Sequence, residues 1–167
     1  VVAYTANDVK NCNNYGEVKI KYNTYEAYSA GVVGETMGGV TNCSCNGSVT
    51  IDLLNVPQTG GGIYLAGVVG YAVTIVENCH LNANLTASTN NASGSLRFAG
   101  IVGQVKTAST RSVTVSNCSV KKGVKLSFTT DNDKANYCGG IAGLSNNGIS
   151  KCVNGGDIDV KITEVFT

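Results

Sequence analysis

One frame, copied five times, constrains this chain more than any single motif. Cys12, Cys43, Cys79, Cys118 and Cys152 occupy the same point of it. Four of them lie eleven residues after Val1, Val32, Val68 or Ile141. Cys118 follows Ile101 by seventeen, because a polar insert around Lys106–Arg111 lengthens that copy. Self-similarity at this period marks a repeat architecture, in which one copy cannot bury its own apolar face and stacked copies can.

Each copy opens on a glycine-bracketed apolar pair: Gly31-Val32-Val33-Gly34, Gly67-Val68-Val69-Gly70, Gly100-Ile101-Val102-Gly103 and Gly140-Ile141-Ala142-Gly143. Three residues before each frame cysteine stands Val9, Val40, Val76, Val115 or Ile149. Six after it stands Val18, Val49, Leu85, Val124 or Ile158, and eight after it Ile20, Ile51, Ala87, Leu126 or Val160. A spacing of two belongs to a strand with one buried face. No segment sustains the apolar spacing of a helix over three turns. Asn/Gly turns such as Asn46-Gly47 and Asn154-Gly155-Gly156 separate the strands. The reading is all-β: a right-handed parallel β-helix (β-solenoid) of about five coils, with three short strands per coil. One strand would hold the Gly-Val-Val-Gly segment, the second would end near the cysteine, and the third would follow the Asn/Gly turn. The coils of this single domain span approximately 1–26, 27–62, 63–95, 96–135 and 136–167.

Composition narrows the function classes. One proline, Pro57, among 21 glycines suits many turns between strands that must all donate hydrogen bonds. A net charge of +1 gives no long-range attraction for nucleic acid or an anionic membrane. No apolar run is long enough to span a bilayer, and no signal peptide is present, so a mature or excised segment is expected. Val1-Val2-Ala3 aligns with Ile141-Ala142-Gly143, so the chain starts inside a repeat. That start is read as a segment cut from a longer repeat protein, with end-to-end association into a filament as the alternative.

The Gly-apolar-apolar-Gly element, the Asn-Cys pairs Asn11-Cys12, Asn42-Cys43, Asn78-Cys79 and Asn117-Cys118, and the Asn/Gly turn after them together resemble the GLUG repeat. The likeness runs from Val1 to about Ile162; Lys151-Cys152 departs from it, and valine or isoleucine replaces the leucine after the first glycine. Those repeats occur in large secreted or surface-attached bacterial proteins, adhesin-like chains among them. The resemblance implies display or adhesion outside the cell and transfers no catalytic residue.

Seven cysteines invite a disulfide framework, but stacked frame positions sit about 4.8 Å apart with parallel side chains. A disulfide needs Cβ atoms nearer 3.8 Å and turned toward each other. The five frame cysteines are therefore read as a buried thiol ladder. Cys45 and Cys138 fall at different frame positions and should not pair; if accessible, either could act as a tether. Cys43-x-Cys45 with a single histidine is no zinc site, so no metal and no cofactor are expected. Asn42, Asn46, Asn84, Asn91 and Asn117 match glycosylation sequons, yet a repeated corner asparagine is read as a bonding partner of backbone groups along the stack.

A second column holds Tyr28, Tyr64, Arg97 and Tyr137, four residues before each Val/Ile of the glycine element. Facing outward, it would be a platform for sugar rings; its plainer role is to stabilise the stack. Variable segments at Lys21–Glu26, Asp52–Gly62, Ser88–Ser95 and Thr129–Asn136 would line one edge. Asp131-Asn132-Asp133 within them is read as a solvated turn rather than a calcium site. A polysaccharide-active enzyme would need converging carboxylates. Asp8, Glu17, Glu35, Asp52 and Glu77 fall at scattered frame positions, and His80 is expected in a turn. The outward column Lys19, Thr50, Thr86, Lys125, Asp159 lacks the threonine array of ice binding. The expectation is a non-enzymatic adhesin or display scaffold, secreted or on the cell surface, for a host or matrix glycan or protein. The alternative is a stalk or filament subunit.

Overall fold

The computed structural model describes residues 2–22, 27–53, 62–90, 94–106, 113–132 and 134–163. It is an all-β parallel solenoid, and among the described residues no helix occurs. A full turn is built from five short strands rather than three. In one such turn they are Ile63–Ala66, Val69–Ala72, Val76–Glu77, His80–Leu81 and Leu85–Thr89. Each stacks in parallel on its counterparts in neighbouring turns, giving five sheets, which we number in that order around the turn. The second to fifth sheets hold five strands each; the first holds four, Ala27–Ala30 being its lowest. In the second to fifth sheets three strands thus have neighbours on both sides, and in the first sheet two.

Three strands become five because the glycine element and the cysteine both mark corners. Gly67-Val68 falls between Ile63–Ala66 and Val69–Ala72, so the Gly-Val-Val-Gly segment bends the chain instead of forming one strand. The amide of Gly67 donates to Gly100 O at 3.1 Å, and Gly31 and Gly100 repeat the bond with the glycine of the turn above. A Cβ on Gly67 would lie 2.4 Å from Gly100 O, so only glycine lets the corners approach this closely. The cysteine corner uses a different device. Asn11, Asn42, Asn78, Asn117 and Lys151 all adopt left-handed φ of 52–59°. Asparagine tolerates that region better than other side chains, which explains its recurrence before the cysteine.

The interior is one apolar column system. Val9, Val40, Val76, Val115 and Ile149 stack in register, as do Val2, Val33, Val69, Val102 and Ala142. Phe98 and Phe128, both fully buried, stack with centroids 4.9 Å apart. The fourth turn departs from the expected frame. Leu126 and Phe128, not Val124 and Leu126, sit over Leu85 and Ala87. The turn at Lys121–Val124, with Gly123 at φ +80°, absorbs two extra residues. The outward column accordingly reads Lys19, Thr50, Thr86, Ser127, Asp159.

Candidate functional site

The cysteine ladder forms, and all seven cysteines are free thiols. Cys43, Cys79 and Cys118 are fully buried, with Cys12 and Cys152 half-buried at the end turns. Each thiol donates to the carbonyl two residues earlier, at 3.1–3.4 Å, from Lys10 O at Cys12 to Ser150 O at Cys152. A small side chain with a weak donor therefore fits this corner better than a purely apolar one. Cys79 is pushed far above the ordinary thiol range by its hydrogen-bonded neighbours Cys118 and Cys43 and by burial. A protonated thiol held this deep is a poor nucleophile. Cys45 is buried over Asn14 and beneath Leu81, and its thiol is raised by desolvation. Cys138 is exposed on the last turn, stacked on Phe98.

The first sheet brings Tyr28, Tyr64, Arg97 and Tyr137 into one column, as pairing partners in consecutive turns. They face outward, since the alternating positions Ala27, Ser29, Ile63, Leu65, Leu96 and Phe98 turn inward and are buried; at the last turn the same positions hold Asn136, half-buried, and Cys138, exposed. Tyr28 and Tyr64 stack with centroids 4.9 Å apart and planes 2° from parallel. Arg97 lies 5.1 Å from the Tyr64 ring and 5.6 Å from that of Tyr137. Tyr64 is thus sandwiched, with Tyr28 on one face and the guanidinium on the other. Both its faces are taken by its neighbours, and its hydroxyl end packs against Gly62. A sugar ring cannot stack on it without displacing the column.

Tyr71 was not part of the sequence expectation. It belongs to the second sheet, in the column Tyr4, Glu35, Tyr71, Gln104, Leu144. Its ring meets Tyr28 at 5.5 Å and Tyr64 at 5.1 Å, edge-on at 65° and 67°. The signal lay in sequence, because Tyr71 follows Tyr64 by one corner, but that corner's bend decides whether the two rings meet. The result is a clamped cluster of three rings and a guanidinium.

The third sheet carries a second feature that the sequence reading passed over. Its outward column is Lys10, Thr41, Glu77, Ser116, Ser150, flanked by the left-handed corner column Asn11, Asn42, Asn78, Asn117, Lys151. The asparagines bond to each other rather than to backbone: Asn42 Nδ2 donates to Asn11 Oδ1 at 3.2 Å, and Asn78 Nδ2 to Asn42 Oδ1 at 2.7 Å. Two adjoining cavities of about 590 and 290 Å³ follow these columns and share Ile75 and Glu77 in their walls. Together they make a groove running across the turns. Its readable signature was a polar residue directly before each corner asparagine.

Other expected sites resolve differently. His80 lies in a strand of the fourth sheet, not a turn, with Nδ1 2.8 Å from Ser119 Oγ. Among the described residues no carboxylate bonds this imidazole, so the pair lacks an orienting acid. Asn132 is buried, bonding Gly94 O and Asn136 Oδ1, and so is a structural clamp rather than part of a solvated turn. Asp133, Asn91, Pro57, residues 23–26 and 54–61 of the variable segments and most of the polar insert lie outside the described residues. Among the described residues no group of three or more acidic, histidine or cysteine side chains could hold a metal ion. No helix there is long and apolar enough to cross a membrane. No family model, curated protein or solved structure matches this chain.

Proposed function

We propose that the chain is a non-enzymatic segment of a secreted or cell-surface protein, a right-handed solenoid of about five coils and of the GLUG-repeat kind, that acts as an adhesin or display scaffold. The observation that supports this reading is the clamped Tyr28–Tyr64–Arg97–Tyr137 column with Tyr71 against it. Tyrosine and arginine dominate the energetics of protein interfaces, and pre-stacked side chains lose little further entropy on binding. Because the faces of Tyr64 are occupied, the patch suits a protein partner better than stacked sugar rings. Thiols buried out of reach suit an oxidising exterior, where only Cys138 is fully exposed.

The test is binding of the purified chain to immobilised extracellular-matrix proteins and to intact host cells. Saturable binding, lost in the double variant Tyr71→Ser/Tyr137→Ser with an unchanged melting temperature, supports the reading. Absence of binding to every matrix protein and cell type sinks it. The stalk or filament reading draws on the last turn, where Ile158, Val160 and Ile162 are 44%, 38% and 58% exposed above core columns. A further turn or a second copy would cover them. Sedimentation that stays monomeric at high concentration counts against the second copy.

A further inference from the structure

We propose that the groove on the third sheet is a second binding site, taking a neutral linear polysaccharide laid along the solenoid axis. It is built from other residues than the tyrosine column and stands or falls separately.

The first argument is repetition. Each turn presents one hydroxyl or charged group and one corner side chain: Lys10 with Asn11, Thr41 with Asn42, Glu77 with Asn78, Ser116 with Asn117, Ser150 with Lys151. Stacked strands repeat these pairs about every 4.8 Å, a distance comparable to one pyranose unit of a polymer. A ligand that matches must itself repeat on that scale. An extended peptide advances about 3.3 Å per residue and drifts out of step.

The second argument is hydrogen-bond supply. An amide has two N–H donors and an oxygen with two lone pairs. The bonds linking Asn11, Asn42 and Asn78 use one donor or one lone pair per contact, and these asparagines are exposed. Asn42, the central amide of the three and part of the groove wall, keeps one donor and one lone pair for a ligand, and Asn117 lines the groove further along. A sugar hydroxyl can accept from one and donate to the other. Ser116 Oγ donates to Glu77 Oε1 at 3.3 Å, which fixes the carboxylate across two turns and leaves its other oxygen as an acceptor.

The third argument is charge and polarity. The walls hold Asp8 and Glu77 against Lys10 and Lys151, two anions and two cations, so the lining is neutral overall. Asp8 and Lys10 further neutralise each other at 2.9 Å. Such a lining has no preference for a polyanion, and with Ile75 as its only large apolar side chain it offers little to a lipid. A polyhydroxylated neutral chain is the class that remains.

The experiment is affinity electrophoresis and calorimetry with a soluble mixed-linkage β-glucan, a xylan and a galactomannan, beside alginate and heparin. The proposal expects retardation by at least one neutral polymer, and a hexasaccharide of that polymer binding more tightly than its disaccharide because it spans more turns. Asn42→Gly/Asn117→Gly keeps the left-handed backbone and removes two amides from the groove wall, and should weaken binding about tenfold or more. Ser116→Trp, which fills the groove midway, should abolish it. Tyr71→Ser/Tyr137→Ser should leave it unchanged. No retardation by any neutral polymer, binding of the polyanions alone, or binding unaffected by both groove variants with their folds intact by circular dichroism overturns the proposal.

Discussion

Replacing Gly67 by alanine tests the stacking directly. The added Cβ would lie 2.4 Å from Gly100 O and 2.5 and 2.7 Å from the two methyls of Leu81. Neither neighbour can yield cheaply. Gly100 O is backbone of the adjoining turn, and Leu81 is fully buried, so its methyls cannot swing into solvent. Restoring ordinary contact at about 3.5 Å means parting the turns locally by about 1 Å. The bonds from Gly67 N to Ala99 O and Gly100 O, now 3.2 and 3.1 Å, would then stretch beyond hydrogen-bond range. Overpacking costs about 1–3 kcal/mol. A buried backbone group left without its partner adds about 1–3 kcal/mol. The sum, about 2–6 kcal/mol, reaches into the exceptional tail of single substitutions. Two other glycines serve as controls. Gly123→Ala meets no atom within 4 Å but sits at φ +80°, so it should cost only backbone strain of about 1–2 kcal/mol. Gly16→Ala has its nearest atom, Asn14 Oδ1, at 3.7 Å and should fall within about 0.5 kcal/mol of the parent. Urea unfolding followed by circular dichroism ranks the three. If Gly67→Ala proves no more costly than Gly16→Ala, the close-approach account of the glycine corners is wrong.

Three further outcomes are expected. Because all seven thiols are free, a reducing agent should leave the melting temperature unchanged, and a thiol reagent on the native protein should label Cys138 before Cys43, Cys79 or Cys118; early labelling of Cys79 would contradict the buried ladder. Phe98 and Phe128, stacked at 4.9 Å, should show a coupling of about 0.5–1.5 kcal/mol in a double-mutant cycle with leucine at each site, and strict additivity would argue against the ring contact. The Asp8 carboxyl is held below the ordinary carboxylate range, first by the amide of Gly39 at 2.9 Å and then by Lys10. With its folded pKa depressed, this contribution is present above the unfolded value of about 3.9 and is lost as pH falls through the lower folded one. An NMR titration placing Asp8 at or above the unfolded value would refute the bond from Gly39.

How far the sequence was legible depends on which residues are asked. The columns through Val9 and Cys12 could be read because apolar residues recurred at fixed distances from one cysteine, and parallel stacking turns equal frame positions into neighbours. Counting strands failed where the chain bends without losing its apolar character. Gly67-Val68 reads as the middle of a strand, yet the approach of Gly100 makes it a corner. The slip in the fourth turn failed for a related reason. Val124 and Leu126 keep the expected spacing, and only the turn around Gly123 shows that Leu126 and Phe128 take the inner positions. Tyr71 and the groove were missed because their neighbours lie around a corner or several turns away.

The repeating frame by itself determined that the chain stacks in parallel turns with one thiol per turn, because side-chain periodicity and equal spacing leave few other ways to bury those residues. It determined that Tyr28, Tyr64, Arg97 and Tyr137 would share a column. Only the tertiary structure decided what that column offers. Stacked about one strand spacing apart, the rings and the guanidinium cover one another's faces, so an outward row open to either reading becomes a clamped patch rather than a sugar platform. The same spacing joins the corner asparagines through their amides and opens a polar groove beside them. Which groups remain free for a ligand is set by distances between turns, and those are fixed when the turns close on each other.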